Sequence, residues 1–209
     1  MTNTKTIILT ESQLHRLLET TTEEIDAACK DVNVNPTEKQ KEAGNYRMGH
    51  FCIKGMNITI ENPKGSYRYY KNANGSEGKI KMKNHYGYFT NTSGNGYDGD
   101  AVDVFIGKHP EDFEFVFVID QNKRDGSFDE SKVMLGFKSA EEAKKAYLSN
   151  FSKGWKGFRD ITAVSLELFK KWLYRGKKQR KPFAEYVKMK KVVNETLNSP
   201  YGVFSDSTI

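Results

Sequence analysis

The sequence predicts a mixed α+β protein, and three patterns carry this prediction. Residues 113–120 form a nearly continuous apolar run, as in a strand that is buried on both faces. In residues 56–61 apolar and polar side chains alternate, which is typical of a strand with one buried face. Residues 139–150 begin with Ser139 and carry Glu142 three positions later, a capping box that predicts a helix.

Further elements follow the same rules along the chain. Residues 37–44 predict a helix that ends at Gly44, and residues 22–30 predict another short helix. An apolar stripe predicts a helix over residues 162–173, after a loop over residues 151–159. The remaining predicted strands include residues 50–55, 86–88 and 133–137.

The chain divides into three segments. Residues 1–34 are predicted to be a helical N-terminal extension, in which a short leucine stripe follows a capping box that starts at Thr10. That stripe either packs against the body of the protein or serves as a docking peptide for a larger assembly. Residues 35–174 are predicted to form the main domain. Residues 175–209 form a basic C-terminal extension with a helix over 186–197, and its basic run is either merely solvated or contacts nucleic acid.

Composition favours a cytosolic protein with anionic partners. The chain of 209 residues has a formal net charge of +6 and is 37% hydrophobic, enough for a core. The Lys- and Arg-rich residues 64–83 form either a phosphate-binding segment or a solvated hairpin. Cys29 and Cys52 lack zinc-site spacing and are expected to be reduced thiols. No apolar run approaches the roughly 20 residues of a membrane helix, and no secretory signal pattern is seen.

Three aspartates lie within six residues of one loop, namely Asp98, Asp100 and Asp103. Crowded carboxylates repel one another, so folding them together costs free energy unless a cation or protons compensate. Mg²⁺ binds such oxygens and completes its shell with water and substrate phosphates. The loop therefore predicts a metal site, although Asp and Gly are also ordinary residues of a solvated turn. A calcium helix-loop-helix site is excluded, because its sixth and twelfth positions hold Asp103 and His109 instead of Gly and Glu.

A second acidic turn, residues 120–132, follows the strongest predicted strand. Its Asp125-Gly126 dipeptide is typical of a hairpin. If the two acidic turns end neighbouring strands, their carboxylates can share metal ions; two unrelated hairpins are the alternative. Glu61 lies at a strand end before Pro63, where it is either an exposed edge residue or points into the site.

Taken together, these motifs resemble those of the soluble (family I) inorganic pyrophosphatases. The resemblance lies in residues 98–104, the acidic signature, and in residues 61–63, 86–88 and 125–132 around it. A closer resemblance is to the pyrophosphatase-like domain of bacteriophage proteins, and it covers roughly residues 35–173. That resemblance rests on residues 42–50, 60–66, 102–107, 128–136 and 154–157.

The resemblance implies that residues 35–174 form a small closed β-barrel with flanking helices. It also implies hydrolysis of pyrophosphate, or of a related phosphoanhydride, that depends on Mg²⁺, with Asp100 orienting or deprotonating the attacking water. The implied metal ligands are Asp98, Asp103, Asp125, Glu130 and Glu61. The implied phosphate-binding residues are Arg68, Tyr86, Lys132 and Lys156, of which the cations would stabilise charge on the phosphate oxygens.

The sequence departs from the cellular enzymes at several of these positions. Glu130 stands where they carry aspartate, and Asp129 is a rival ligand. Trp155-Lys156 replaces a Tyr-Lys pair, and two extra residues separate the tyrosine motif from the acidic loop. These differences leave open a substrate other than free pyrophosphate.

Three functions therefore stay open. The first is phosphoanhydride hydrolysis in the cytoplasm of a phage-infected host cell, with the protein either free or packaged in the virion. The second is a catalytically weak virion component that binds other phage proteins or nucleic acid through its terminal extensions. The third is hydrolysis of nucleotide diphosphates or of a signalling nucleotide. A homo-oligomer is compatible with each of them, and no membrane partner is expected.

Overall fold

A computed structural model of the chain describes residues 20–71, 75–94, 96, 99–175 and 181–197, with side chains up to residue 191. The strands are β1 (Gly49–Ile53), β2 (Met56–Asn62), β3 (Tyr67–Lys71), β4 (Glu77–Lys81), β5 (His85–Phe89), β6 (Asp103–Ile106), β7 (Phe115–Asn122), β8 (Phe128–Leu135) and β9 (Phe158–Ser165). The helices are α1 (Thr22–Cys29), α2 (Glu38–Ala43), α3 (Ala140–Ser149), α4 (Leu166–Leu173) and α5 (Phe183–Leu197). The predicted mixed α+β class is confirmed.

Seven strands form one sheet in the order β1-β2-β5-β6-β8-β7-β9, and β3 pairs with β4 in a separate hairpin. Strands β6 and β8 run parallel, whereas the other neighbours in the sheet are antiparallel. The closed barrel implied by the family resemblance is wrong, because closure needs β1 and β9 to pair with each other. Within the described residues β1 pairs with β2 and β9 with β7, so the sheet has two edges. Helix α1 packs beside β1, where a Cβ on Gly49 would lie 3.0 Å from the Ala28 carbonyl oxygen.

Each face of the sheet packs a separate hydrophobic core. The apolar face packs against α4 and α5, and its core includes Ile58, Val104, Val118, Phe169 and Trp172. The opposite face, which we call the site face, packs against α3, and its core includes Phe105, Phe117, Ile119, Met134 and Tyr147. Strand β7 contributes to both cores, which confirms the prediction that it is buried on both faces.

The sequence-based helix boundaries are confirmed in part. Gly44 adopts a left-handed conformation with φ of +59° at the end of α2, and Ser139 accepts a hydrogen bond from the Glu142 N–H at 3.1 Å. The helix predicted over residues 162–173 is wrong in its first part, because residues 158–165 pair with β7 as strand β9. This segment is rich in β-branched side chains, and backbone pairing with a buried strand outweighs its helical periodicity.

The leucine stripe predicted within residues 1–34 and residues 176–180 of the basic run lie outside the described residues. No helix in the described part of the chain is long and apolar enough to cross a membrane.

Candidate active site

A buried lysine lies at the centre of a charged cluster on the site face. Lys132 on β8 pairs with Asp103, the first residue of β6, and with Glu130 at 2.8 Å. Tyr86 on β5 donates its hydroxyl hydrogen to Asp103 at 2.6 Å, and the Lys132 ammonium lies 3.2 Å from the same hydroxyl. The cluster forms because β5, β6 and β8 are adjacent and alternation along each strand places these side chains on one face.

Burial and the nearby opposite charges act in opposite directions on the pKa values of Lys132 and Glu130. Burial acts to lower the pKa of Lys132, but Asp103, Tyr86 and Glu130 outweigh it and hold that pKa well above its usual range. Burial also raises the pKa of Glu130, against the attraction of Lys132. Burial, followed by the charge of Asp103, raises the pKa of Tyr86, which therefore keeps its proton and acts as a donor. The result is one permanent cation held between two carboxylates.

Arg68 reaches the cluster from the β3–β4 hairpin. Its guanidinium carbon lies 5.0 Å from the centre of the Tyr86 ring and 5.9 Å from that of the Phe151 ring. The Arg68 Nη1 atom is buried and has no hydrogen-bond partner among the described residues. A buried donor of this kind requires an acceptor, and an anionic oxygen is the strongest one available.

A pocket of about 770 Å³ opens beside the cluster. Its lining combines the buried Lys132 and the carboxylate of Glu130 with aromatic side chains from the segment after α3. The basic residues of the lining are Arg68, Lys71, Lys123, Arg124, Lys132, Lys153 and Lys156. Such an excess of cations favours an anionic ligand with several charges.

A chain of hydrogen bonds supports the acidic side of the pocket. Gln121 donates to Asp129 at 2.8 Å and to Glu130 at 3.4 Å. The side-chain oxygen Oε1 of Gln121 accepts a hydrogen bond from the Tyr147 hydroxyl at 2.7 Å. The same hydroxyl accepts a hydrogen bond from Trp155 Nε1 at 3.0 Å. Burial raises the pKa of Tyr147 to about 12, so this hydroxyl stays protonated. Sequence analysis missed Gln121 and Tyr147, and a polar residue at the end of a buried strand was the one available signal for Gln121.

A family model described as inorganic pyrophosphatase matches residues 38–174. The chain belongs to the inorganic pyrophosphatase family. The match begins at α2, contains all nine strands and ends directly after α4, so the pocket and its charged cluster lie inside it. No curated protein and no solved structure matches the chain. Membership supports a pyrophosphatase-like function for this site.

The pyrophosphatase-family chain brings together some of the predicted site residues. Asp103, Glu130, Lys132 and Tyr86 are in contact through Lys132, and Arg68 stacks on Tyr86. Lys156 is exposed and lines the pocket.

Two other predicted site residues have hydrogen-bond partners outside this cluster. Glu61 on β2 accepts a hydrogen bond from the Tyr46 hydroxyl at 2.6 Å. Strand β5, through Tyr88, lies between β2 and the strand β6 that begins at Asp103. Asp125 is exposed, and it accepts hydrogen bonds from the Ser127 N–H at 2.9 Å and the Ser127 hydroxyl at 2.6 Å. The roles assigned to Glu61 and Asp125 stay predictions.

The acidic loop is described only in part. Asp100 is exposed there, and its carbonyl oxygen accepts from the Gly96 N–H at 2.9 Å. Asp98 lies outside the described residues. No three His, Cys, Asp or Glu side chains converge as a metal site among the residues that are described. Asp103 and Glu130 both contact the Lys132 ammonium group.

Proposed function

We propose that this chain hydrolyses inorganic pyrophosphate or a related phosphoanhydride, and that it requires Mg²⁺. The observation that carries the proposal is the buried Lys132 held between Asp103 and Glu130 beside a basic pocket, within the region matched to the inorganic pyrophosphatases. Pyrophosphate is a small, highly charged anion, so a site for it needs cations at fixed positions.

The chain's own cations supply substrate binding in this proposal. Lys132 donates to a phosphate oxygen from its buried position, and Arg68 offers the unpartnered Nη1 to a second one. Lys156, at the exposed rim, adds attraction for the incoming anion. Tyr86 keeps Asp103 in place through its short hydrogen bond.

The donor atoms present fit a hard divalent cation. The side chains of Asp103 and Glu130 are 23% and 25% exposed, so their oxygens remain accessible to a ligand although both contact Lys132. We propose that Asp98 and Asp125 complete this ligand set and that Glu61 holds a further ion. When bound, Mg²⁺ neutralises substrate charge and lowers the pKa of a bound water.

Asp100 is proposed to take the proton of the attacking water. The water oxygen forms a bond to phosphorus, the bridging phosphorus–oxygen bond breaks, and two orthophosphates leave. Lys132 and Arg68 stabilise the charge that develops on the phosphate oxygens in the transition state.

Phosphate release from pyrophosphate by the purified full chain tests the proposal. We expect release with Mg²⁺, none with a chelator, and a drop of about 100-fold or more in Asp103→Asn and Asp100→Asn. Asp112→Asn is the matched control, because Asp112 is an exposed carboxylate that pairs with Lys138 outside the pocket. Equal release by wild type and Asp103→Asn would overturn the proposal.

A second pair of variants tests Asp129 and Asp125, two carboxylates of the second acidic turn besides Glu130. Asp129 lines the pocket and is held by Gln121, whereas Asp125 is bound within its own turn by Ser127. Comparing the Mg²⁺ concentration needed for half-maximal release in Asp129→Asn and Asp125→Asn shows which carboxylate contributes to ion binding. A larger increase in Asp129→Asn would assign the ligand to Asp129 in place of Asp125.

The biological setting is a further part of the proposal. The resemblance of residues 128–136 and 154–157 to a bacteriophage domain supports action in an infected cell or in the virion. The extensions, residues 1–34 and 175–209, would then bind partner proteins or nucleic acid.

A further inference from the structure

The pocket is larger than its proposed inorganic substrate. Its volume of about 770 Å³ lies in the range of about 300–1,000 Å³ that is usual for sites of organic ligands. Two linked phosphates occupy only a small part of such a volume. The remaining space lies next to aromatic side chains, which offer little to a phosphate.

The aromatic part of the lining is a fixed stack. The Phe151 and Trp155 rings are nearly parallel, with an interplanar angle of 11° and centroids 4.7 Å apart. The Trp155 indole N–H is anchored on Tyr147. A Cβ on Gly157 would lie 2.3 Å from the Trp155 ring, so only glycine permits this position. Both stacked rings are half-buried and line the pocket, so they present apolar surface to a ligand.

Arg68 connects this stack to the charged cluster. Its guanidinium lies near the rings of both Phe151 and Tyr86, and Tyr86 contacts Lys132. The Arg68 guanidinium, whose Nη1 has no partner among the described residues, therefore contacts both a ring of the aromatic stack and a ring of the charged cluster. A ligand that fits this order carries a flat ring at one end and a diphosphate at the other.

We propose that the site takes a nucleoside diphosphate, with the base on the Phe151–Trp155 stack and the diphosphate at Arg68 and Lys132. This inference rests on the proposed function and names the substrate class of the same site. Water adds to the terminal phosphorus, the bridging phosphorus–oxygen bond breaks, and the products are a nucleoside monophosphate, orthophosphate and a proton. Stacking on aromatic side chains tolerates any base, because every base has a π-face.

The test compares phosphate release from ADP, methyl diphosphate and pyrophosphate by the full chain. We expect Trp155→Leu to raise the KM for ADP about tenfold more than the KM for pyrophosphate, because only the nucleotide uses the ring, whereas loss of the Trp155 N–H affects both substrates alike. Pyrophosphate turnover in the same variant shows that the site is still folded. Tyr69→Leu is the control, because Tyr69 is 58% exposed and does not line the pocket.

Tryptophan fluorescence gives an independent measurement of binding. Trp172, the other tryptophan, is 2% exposed in the core of the apolar face. We expect ADP to quench the emission, methyl diphosphate to leave it unchanged, and Trp155→Phe to remove the effect.

The outcomes separate this inference from the proposed function. If pyrophosphate is hydrolysed and ADP is neither hydrolysed nor able to quench, the nucleotide inference is overturned and the proposed function stands. An equal change in both KM values in Trp155→Leu would also overturn it. If no substrate is hydrolysed, the proposed function fails, and quenching by ADP that depends on Trp155 would still support the nucleotide site.

Discussion

One carboxylate on each face of the sheet loses contact with water, fully at Asp120 and partly at Glu130, and the two have different partners. On the apolar face, Asp120 accepts hydrogen bonds from the Ser131 hydroxyl at 2.6 Å and from the N–H groups of Phe183 and Ala184 at 2.8 and 3.0 Å. On the site face, Glu130 pairs with the Lys132 ammonium and lines the pocket. Asp120 has only neutral donors and holds the start of α5, whereas Glu130 shares a cation that also faces the pocket.

A raised pKa does not distinguish these carboxylates. Burial raises the pKa of Asp120 against its hydrogen bonds, and burial raises the pKa of Glu130 against Lys132. What differs is the partner and the access to a ligand. A carboxylate closed off by backbone N–H groups stabilises the fold, and one that shares a lysine beside a cavity can exchange that contact for a substrate or an ion.

The largest expected effect on stability lies in the apolar core. Phe169 is fully buried between Phe89 and Trp172, so Phe169→Ala should lower the free energy of unfolding by about 4 kcal/mol because it leaves a cavity. Denaturant unfolding measures this loss. Phosphate release per folded molecule should be unchanged, and Leu148→Ala, at an exposed position, should cost less than about 0.5 kcal/mol. A loss of phosphate release per folded molecule in Phe169→Ala would show that the core of the apolar face also affects the site on the other face.

Removal of the central cation should affect both stability and turnover. Lys132→Met leaves Asp103 and Glu130 without their shared partner, and we expect a loss of about 3 kcal/mol in the free energy of unfolding. Phosphate release should fall about 100-fold. Lys138→Met is the control, because the Lys138–Asp112 pair is exposed and should contribute less than about 1 kcal/mol. Phosphate release by Lys132→Met at the wild-type rate would show that Lys132 has no role in hydrolysis.

Removal of Asp120 and removal of Glu130 should give opposite results. Asp120→Ala leaves two N–H groups of α5 without an acceptor and should lower the free energy of unfolding by about 2 kcal/mol, with turnover per folded molecule preserved. Glu130→Ala should act mainly on turnover and only weakly on the free energy of unfolding. Denaturant unfolding and phosphate release are measured for both variants. Equal losses of stability and of turnover in the two variants would contradict the difference expected between Asp120 and Glu130.

The smallest expected effect is a dependence of stability on pH at His85. This residue accepts from the Lys64 N–H at 3.3 Å and contacts Asp26 at 2.9 Å, and burial lowers its pKa against the pull of Asp26. Because the unfolded chain then binds the proton more readily, stability should fall as the pH drops below about 6.5, by at most about 1.4 kcal/mol per pH unit. Denaturant unfolding at several pH values should show a shallower slope in His85→Gln. An unchanged slope would assign the effect to other groups.

Sequence patterns predicted the strands and several helix ends because these depend on neighbouring residues. Alternation identified β2, the apolar run identified β7, and Ser139 marked the start of α3. The same approach failed at residues 162–165, where pairing with β7 decides the conformation. The open sheet was also missed, because closure is a relation between β1 and β9 that local spacing does not encode.

The sequence by itself determined which acids and cations are available and that most of the acids occur in two separate turns. Only the tertiary structure decided which of them meet. The parallel pairing of β6 with β8 brings Asp103 to Lys132 across 29 residues, while the Asp125 carboxylate is held by its neighbour Ser127. The support from Gln121, Tyr147 and Trp155 likewise exists only after α3 packs on the sheet. Contacts between distant segments depend on strand order and packing, and for that reason the site had to be located in the fold.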